Sequence, residues 1–142
     1  MGEIHEGGCA CDAVHFRAAG TPHRVSLCSC SWCRKRTGSL IGVSVYFDKA
    51  NVEFIRGKLK SHQLISDANR WIECQFCISC GSAVTWTLEF LPRYRGIAGG
   101  AFDDPVFIQP ERYVYYQNKP DWLEINRDIS RCPMMAGRTD QY

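Results

Sequence analysis

Cys74-Gln75-Phe76-Cys77-Ile78-Ser79-Cys80-Gly81-Ser82 is the stretch on which the fold turns. Cys77 and Cys80 can offer two thiolates from one tight turn to neighbouring corners of a tetrahedral ion. Gly81 lets that turn close at backbone angles that other residues resist, so that its amide N–H groups can point at sulfur. The same logic extends to Cys9-Ala10-Cys11 and to Cys28-Ser29-Cys30-Ser31-Trp32-Cys33, and it leaves Cys132 alone. The chain has nine cysteines in 142 residues, an odd number. Its acidic, polar start, Met1-Gly2-Glu3-Ile4-His5-Glu6, does not read as a signal peptide. A disulfide framework is therefore not expected, a reducing cytoplasmic setting is, and the use left for clustered thiols is metal.

Counting ligands divides the thiols. Cys9, Cys11, Cys77 and Cys80 make a closed four-thiolate site that joins the start of the chain to its middle, a structural zinc that would contribute folding energy. Cys28, Cys30 and Cys33 are three thiolates without an obvious fourth, the pattern of a catalytic zinc with an open position for water or a thiol. Spacing alone leaves Cys74 open: it could replace Cys77, or close the second site and remove the catalytic argument. Its place in an alternating run favours an ordinary packed thiol, and the isolated Cys132 reads the same way.

Composition supports one globular domain over residues 1–142. Apolar residues are 45% and charged residues 23%, which excludes disordered and fibrous classes. A net charge of +2 gives no electrostatic case for nucleic acid or a membrane surface, and no apolar run approaches the ~20 residues of a membrane helix. Period-two and aromatic-rich patterns predict strands at 12–17, 42–47, 51–55, 62–66, 70–76, 83–90, 106–109 and 112–117, with Val84, Trp86, Leu88 and Phe90 on one side. Helical periodicity is confined to short pieces near 32–37 and 122–127. The expected class is mainly β.

Three blocks in this order resemble the family of glutathione-dependent formaldehyde-activating enzymes, which includes centromere protein V. They are Gly7-Gly8-Cys9-Ala10-Cys11-Asp12-Ala13-Val14-His15-Phe16, Cys28-Ser29-Cys30-Ser31-Trp32-Cys33-Arg34-Lys35-Arg36-Thr37-Gly38-Ser39, and Phe76-Cys77-Ile78-Ser79-Cys80-Gly81-Ser82 followed by Trp86. The similarity runs over about residues 7–125. It implies an Mss4-like fold of small antiparallel sheets organised around zinc-binding cysteine turns. It also implies a structural zinc on Cys9, Cys11, Cys77 and Cys80 and an active-site zinc on Cys28, Cys30 and Cys33. The reaction implied joins formaldehyde to glutathione and is named as a carbon–sulfur lyase in reverse. Tyr113 stands where the family often has histidine, and Cys74 is not an expected cysteine.

Three thiolates on Zn²⁺ leave a charge of about −1, which suits holding a thiol better than polarising a carbonyl. Arg34, Lys35 and Arg36 directly after Cys33 are candidate partners for the carboxylates of glutathione, with a solvated face as the plain alternative. Trp32 could shield the second metal or simply pack. His5, His15, His23 and His62 sit at no zinc spacing and are expected to be structural, as is the turn Asp103-Asp104-Pro105. The competing reading is a non-catalytic zinc module that binds a protein partner. A chromatin module is the weakest reading.

Overall fold

The computed structural model describes residues 2–66, 69–125 and 128–132. Strands dominate. In chain order they are β1 (Ile4–Gly8), β2 (His15–Ala19), β3 (Arg24–Cys28), β4 (Gly42–Asp48), β5 (Val52–Arg56), β6 (Leu59–Ile65), β7 (Trp71–Cys77), β8 (Ala83–Leu88), β9 (Tyr94–Ala98), β10 (Arg112–Val114) and β11 (Ser130–Arg131). A single α-helix among the described residues, α1 (Ser31–Thr37), follows β3. One sheet has the order β1-β2-β5 and the other β11-β10-β3-β4-β9-β8-β7-β6. Pairing is antiparallel except that β10 lies parallel to both β3 and β11.

The large sheet is covered on both sides, and this explains its composition. Phe16 and Ala18 of β2 pack with Val25, Val45, Phe47, Val84 and Ile97 of the large sheet, and Phe102 completes that cluster. Tyr46, Ile72, Cys74, Trp86, Leu88 and Leu91 form a second cluster, against which Trp32 of α1 packs. Neighbouring residues of β4 thus enter different cores. Each large side chain so buried contributes roughly 1.5–3 kcal/mol.

Most expected strands form, with ends shifted by a few residues. The even residues of 83–90 do not all share a face. The β7–β8 register slips between Gln75 and Phe76, a bulge that turns Val84 into the first cluster and leaves Trp86 and Leu88 in the second. The stretch 106–109 is not a strand, because Pro105–Phe107 winds into a 3-10 turn capped by the Asp104 carboxylate. In the expected helix near 122–127, residues 122–125 are not helical, and 126–127 lie outside the described residues. β1, β3, β9 and β11 were not expected. β3 is nearly buried along its length, so its sequence shows no alternation to read.

Two glycines carry the close approaches. Gly96 lies beneath Trp86, where a Cβ would come within 2.2 Å of the indole nitrogen. Gly57 has φ +92°, and a Cβ there would meet the Ala13 carbonyl oxygen at 2.3 Å. That contact presses the β5–β6 turn onto the loop that carries Cys9 and Cys11. Gly57→Ala therefore combines backbone strain with a clash against an oxygen that cannot move away, and is expected to cost about 2 kcal/mol or more. Gly38, at φ +74° with open space around it, is the control: Gly38→Ala carries only the conformational penalty of ~1 kcal/mol. Urea midpoints of the two variants measure the difference, and equal midpoints would contradict it.

Candidate metal centre

Two groups of sulfur atoms converge. Those of Cys9, Cys11, Cys77 and Cys80 all lie within 4.8 Å of one another, and so do those of Cys28, Cys30 and Cys33. In the first group Cys9 and Cys11 sulfurs are 3.6 Å apart, and Cys11 and Cys77 sulfurs 3.8 Å. Sulfurs at the corners of a tetrahedron with metal–sulfur bonds of ~2.3 Å stand ~3.8 Å apart. The donor set and its spacing therefore fit a thiophilic metal ion.

The local turns explain the arrangement. Cys9 and Cys11 sit in the β1–β2 connection, where the Val14 amide donates to the Cys9 sulfur at 3.2 Å. Cys77 ends β7, and the Ser79 amide two residues on donates to its sulfur at 3.3 Å. Gly81, at φ +76°, closes the turn. Ser82 ties the two turns together, because it accepts from the Ala10 amide at 3.1 Å while its hydroxyl stands 3.1 Å from the Cys80 sulfur. The Ser82 hydroxyl, with the Ser82 and Cys11 amides, holds the Cys80 thiol down to about 5. Although the Ala13 amide favours a Cys11 thiolate, the sulfurs of Cys9 and Cys80 push that thiol up to about 12. Without a cation, four such neighbours cannot ionise together.

The second group comes from one short segment. Cys28 ends β3, Cys30 caps α1, and Cys33 lies in its first turn. The Cys30 amide donates to the Cys28 sulfur at 3.5 Å and the Cys33 amide to the Cys30 sulfur at 3.3 Å. Hydrogen bonds from Cys28 and Cys33 draw the Cys30 thiol down to about 3. Hydrogen bonding to Cys30 and Cys33, together with burial, pushes the Cys28 thiol up. Gly42 is paired with Cys28 across β3–β4, and its missing side chain leaves room for Cys33, whose Cβ would be 3.3 Å from a Cβ at that position. Ser29, between two of the sulfurs, is fully buried, donates to the Leu40 carbonyl at 3.0 Å and accepts from the Tyr113 hydroxyl. Tyr113 thus braces the loop from β10.

The three basic residues after Cys33 have three different surroundings. Arg34 donates from Nε to the Ser29 carbonyl at 3.1 Å and so holds the loop. Lys35 is exposed. Arg36 is clamped, its guanidinium carbon 4.6 Å from the Trp32 ring and 4.2 Å from the Trp86 ring, a cation–π sandwich. Its Nε and Nη1 are buried with no hydrogen-bond partner among the described residues, and its charge acts on both Cys33 and Cys74. Trp32, Lys35, Arg36, His62, Cys74 and Phe76 are among the residues lining a groove of about 550 Å³ between α1 and the β6–β7 edge.

Cys74 belongs to neither sulfur group. It is buried opposite His62 and Trp86 on the neighbouring strands. Cys132, expected to be an ordinary packed thiol, packs against the cluster formed by Cys28, Cys33 and Val114, and its sulfur lies outside the three-sulfur group. The signal for it lay in a strand pairing that spacing along the chain does not reveal. Of the histidines, His5 binds the Gly20 carbonyl at 3.1 Å, His15 binds Glu6 at 3.1 Å, and His23 stacks on Tyr94 at 3.9 Å.

The two groups differ in what their loss removes. Cys77→Ala opens the junction between the turns of two sheets, whereas Cys30→Ala alters a site built from one segment. In protein carrying its metal, Cys77→Ala is expected to lower the melting temperature by ~10 °C or more, and Cys30→Ala by only a few degrees. Calorimetry on both variants decides, and equal shifts would remove the distinction.

Comparisons agree with this architecture. A family model described as "Glutathione-dependent formaldehyde-activating enzyme" matches residues 4–118. A Halomonas elongata protein, whose name assigns it provisionally to the same activity, is 33% identical over 145 residues, covering 96% of this chain and 89% of its own. A Rhodobacter sphaeroides protein of known crystal structure superposes with a TM-score of 0.60 at 20% identity, over 77% of this chain and 99% of the other, a likeness of fold.

Proposed function

The chain belongs to the glutathione-dependent formaldehyde-activating enzyme family, and from that premise we propose that it is a zinc-dependent enzyme of the carbon–sulfur lyase type, making and breaking the bond between glutathione and formaldehyde. The observation that carries this reading is the second sulfur group: three sulfurs within 4.8 Å of one another, beside a groove and a guanidinium whose Nε and Nη1 are buried. Cys9, Cys11, Cys77 and Cys80 would hold the structural zinc, and Cys28, Cys30 and Cys33 the active-site zinc. Bound there, zinc supplies an open coordination position that favours the thiolate form of an incoming thiol.

The chain's own residues supply the rest. Three thiolates around a divalent ion leave a charge of about −1, which repels a further anion. Arg36 offsets it with a permanent charge held in place by Trp32 and Trp86 rather than by water. An unpartnered guanidinium donor normally costs ~1–3 kcal/mol, so its retention beside the sulfurs supports an anionic ligand there. Lys35 at the groove rim suits a glutathione carboxylate. Arg34 is occupied with Ser29, and in this reading it shapes the loop instead of touching substrate. In the addition, the sulfur–carbon bond forms as the carbonyl π bond opens, and the thiol proton ends on the new hydroxyl.

Metal analysis and exchange spectroscopy test this together. Protein purified without chelator is expected to carry two zinc ions per chain, and Cys30→Ala one. The wild-type protein should speed interconversion of glutathione, formaldehyde and S-hydroxymethylglutathione above the uncatalysed background, followed by two-dimensional NMR exchange. Cys30→Ala should return that rate to background. Arg36→Met keeps an alkyl stem between the tryptophans and removes the charge, so kcat/KM should fall ~10-fold or more while both metals stay bound. Fully metallated wild-type protein that gives no acceleration would sink the reading and leave a zinc module with a protein partner as the better account.

A further inference from the structure

We propose that Cys132 is the fourth thiol of the Cys28–Cys30–Cys33 site, a ligand at the sheet edge that occupies the open position at rest and yields it to a substrate thiol. The proposal rests on that site holding a metal ion.

Strand register points to it first. β3, β10 and β11 run side by side and parallel, with Ser26, Arg112 and Ser130 in one row and Leu27, Tyr113 and Arg131 in the next. The following row pairs Cys28 with Val114. Cys132 extends it, because its amide donates to the Tyr113 carbonyl at 2.8 Å and its carbonyl accepts from the Tyr116 amide at 3.0 Å. Residues in one row of adjacent strands share a face of the sheet, so Cys28, Val114 and Cys132 look to the same side. Packing is the second, separate observation: Cys132 lies against the Cys28, Cys33 and Val114 cluster, which Cys30 and Trp32 also touch. The Ser130 hydroxyl is 4.0 Å from the Cys132 sulfur, at the outer limit of a hydrogen bond, and so restrains it weakly.

Distance favours a metal bridge over a disulfide. Two strand spacings place the Cys28 and Cys132 backbones roughly 9–10 Å apart. A disulfide needs Cα atoms within about 7 Å. The Cys132 sulfur stands outside the 4.8 Å grouping of the other three, so it would join them only as an ion with ~2.3 Å bonds to sulfur draws the edge inward. β11 is two residues long and, among the described residues, paired only with β10, the kind of element that shifts at low cost. Cys74, the other cysteine outside the two sulfur groups, faces an indole and a guanidinium instead.

The exchange balances without an oxidant. The incoming thiol gives its proton to the Cys132 sulfur, takes its place as thiolate, and leaves the charge of the site unchanged. Arg36 therefore serves both states.

Cobalt replacement tests the proposal. Wild type, Cys132→Ser and Cys74→Ser are loaded with Co²⁺, and sulfur-to-cobalt charge-transfer absorbance is read at equal metal content. Cys132→Ser should lose about one-eighth of the intensity, one sulfur ligand of eight, and Cys74→Ser none. In the loaded wild type, iodoacetamide should label Cys132 slowly, as mass spectrometry reads it, and glutathione should speed that labelling at least ~10-fold. Two cobalt ions per chain with equal intensity in wild type and Cys132→Ser would overturn the proposal and leave the enzyme reading standing. One cobalt ion per chain in the wild type would overturn both.

Discussion

The structure depends on sulfur atoms held closer together than their charges permit. The Cys11 and Cys77 sulfurs meet at 3.8 Å although the residues are 66 apart in sequence. One comes from the β1–β2 connection of the small sheet and the other from the end of β7 in the large one. As bare thiols they ionise unequally: the Ser82 hydroxyl and the Ser82 and Cys11 amides hold Cys80 down to about 5, while, against the Ala13 amide, the Cys9 and Cys80 sulfurs push Cys11 up to about 12. A divalent cation bound there would remove the conflict and turn a repulsive junction into a cohesive one. The apolar cluster between the sheets adjoins this junction through Cys9: Phe16 and Ala18 come from one sheet, and Val45, Phe47 and Ile97 from the other.

The second sulfur group obeys the same electrostatics under a different topology. All three residues belong to one β3–α1 segment, so no distant part of the chain is needed to assemble them. What the rest of the fold supplies is surroundings. β10 delivers the Tyr113 hydroxyl to Ser29, β4 delivers the small Gly42 beneath Cys33, and β8 delivers the Trp86 face that holds Arg36. Trp86 can lie there because Gly96 leaves it room. Thus a glycine on β9 governs where a positive charge sits relative to a thiol cluster on α1.

Legibility in the sequence follows from how local each feature is. The two sulfur groups could be read from spacing, because each turn carries its own pair. β5, β6 and β7 showed as alternating patterns with ends only a few residues out. β3 did not, since a strand with both faces buried has no contrast to display. β9 did not either: Arg95 and Gly96 are poor strand formers, and their place is set by neighbours, Arg95 by Gln75 at 2.8 Å and Gly96 by the indole above it. The neighbourhood of Cys132, a packed thiol beside Cys28 and Val114, was the least legible part of the site. Its relation to Cys28 runs through Val114, across two strand pairings whose partners are far apart in sequence.

The run Arg34-Lys35-Arg36 makes the same point about charge. In the sequence the three are equivalent cations after a cysteine. On a helix they stand ~100° apart, and the fold assigns each a different medium: a backbone carbonyl for Arg34, solvent for Lys35, two indole rings for Arg36. A charge in water is strongly screened, whereas one held between aromatic faces is screened less over short distances. Arg36, whose charge acts on Cys33, therefore contributes a fixed positive charge to the balance of the sulfurs. A thiolate site of about −1 beside a fixed +1 is close to neutral, so a fourth thiolate adds only one unit of charge, and exchanging one thiolate for another adds none. With a divalent ion held there, the position beside Cys28, Cys30 and Cys33 would thus exchange one thiolate for another without a change in the electrostatic balance that Arg36 sets.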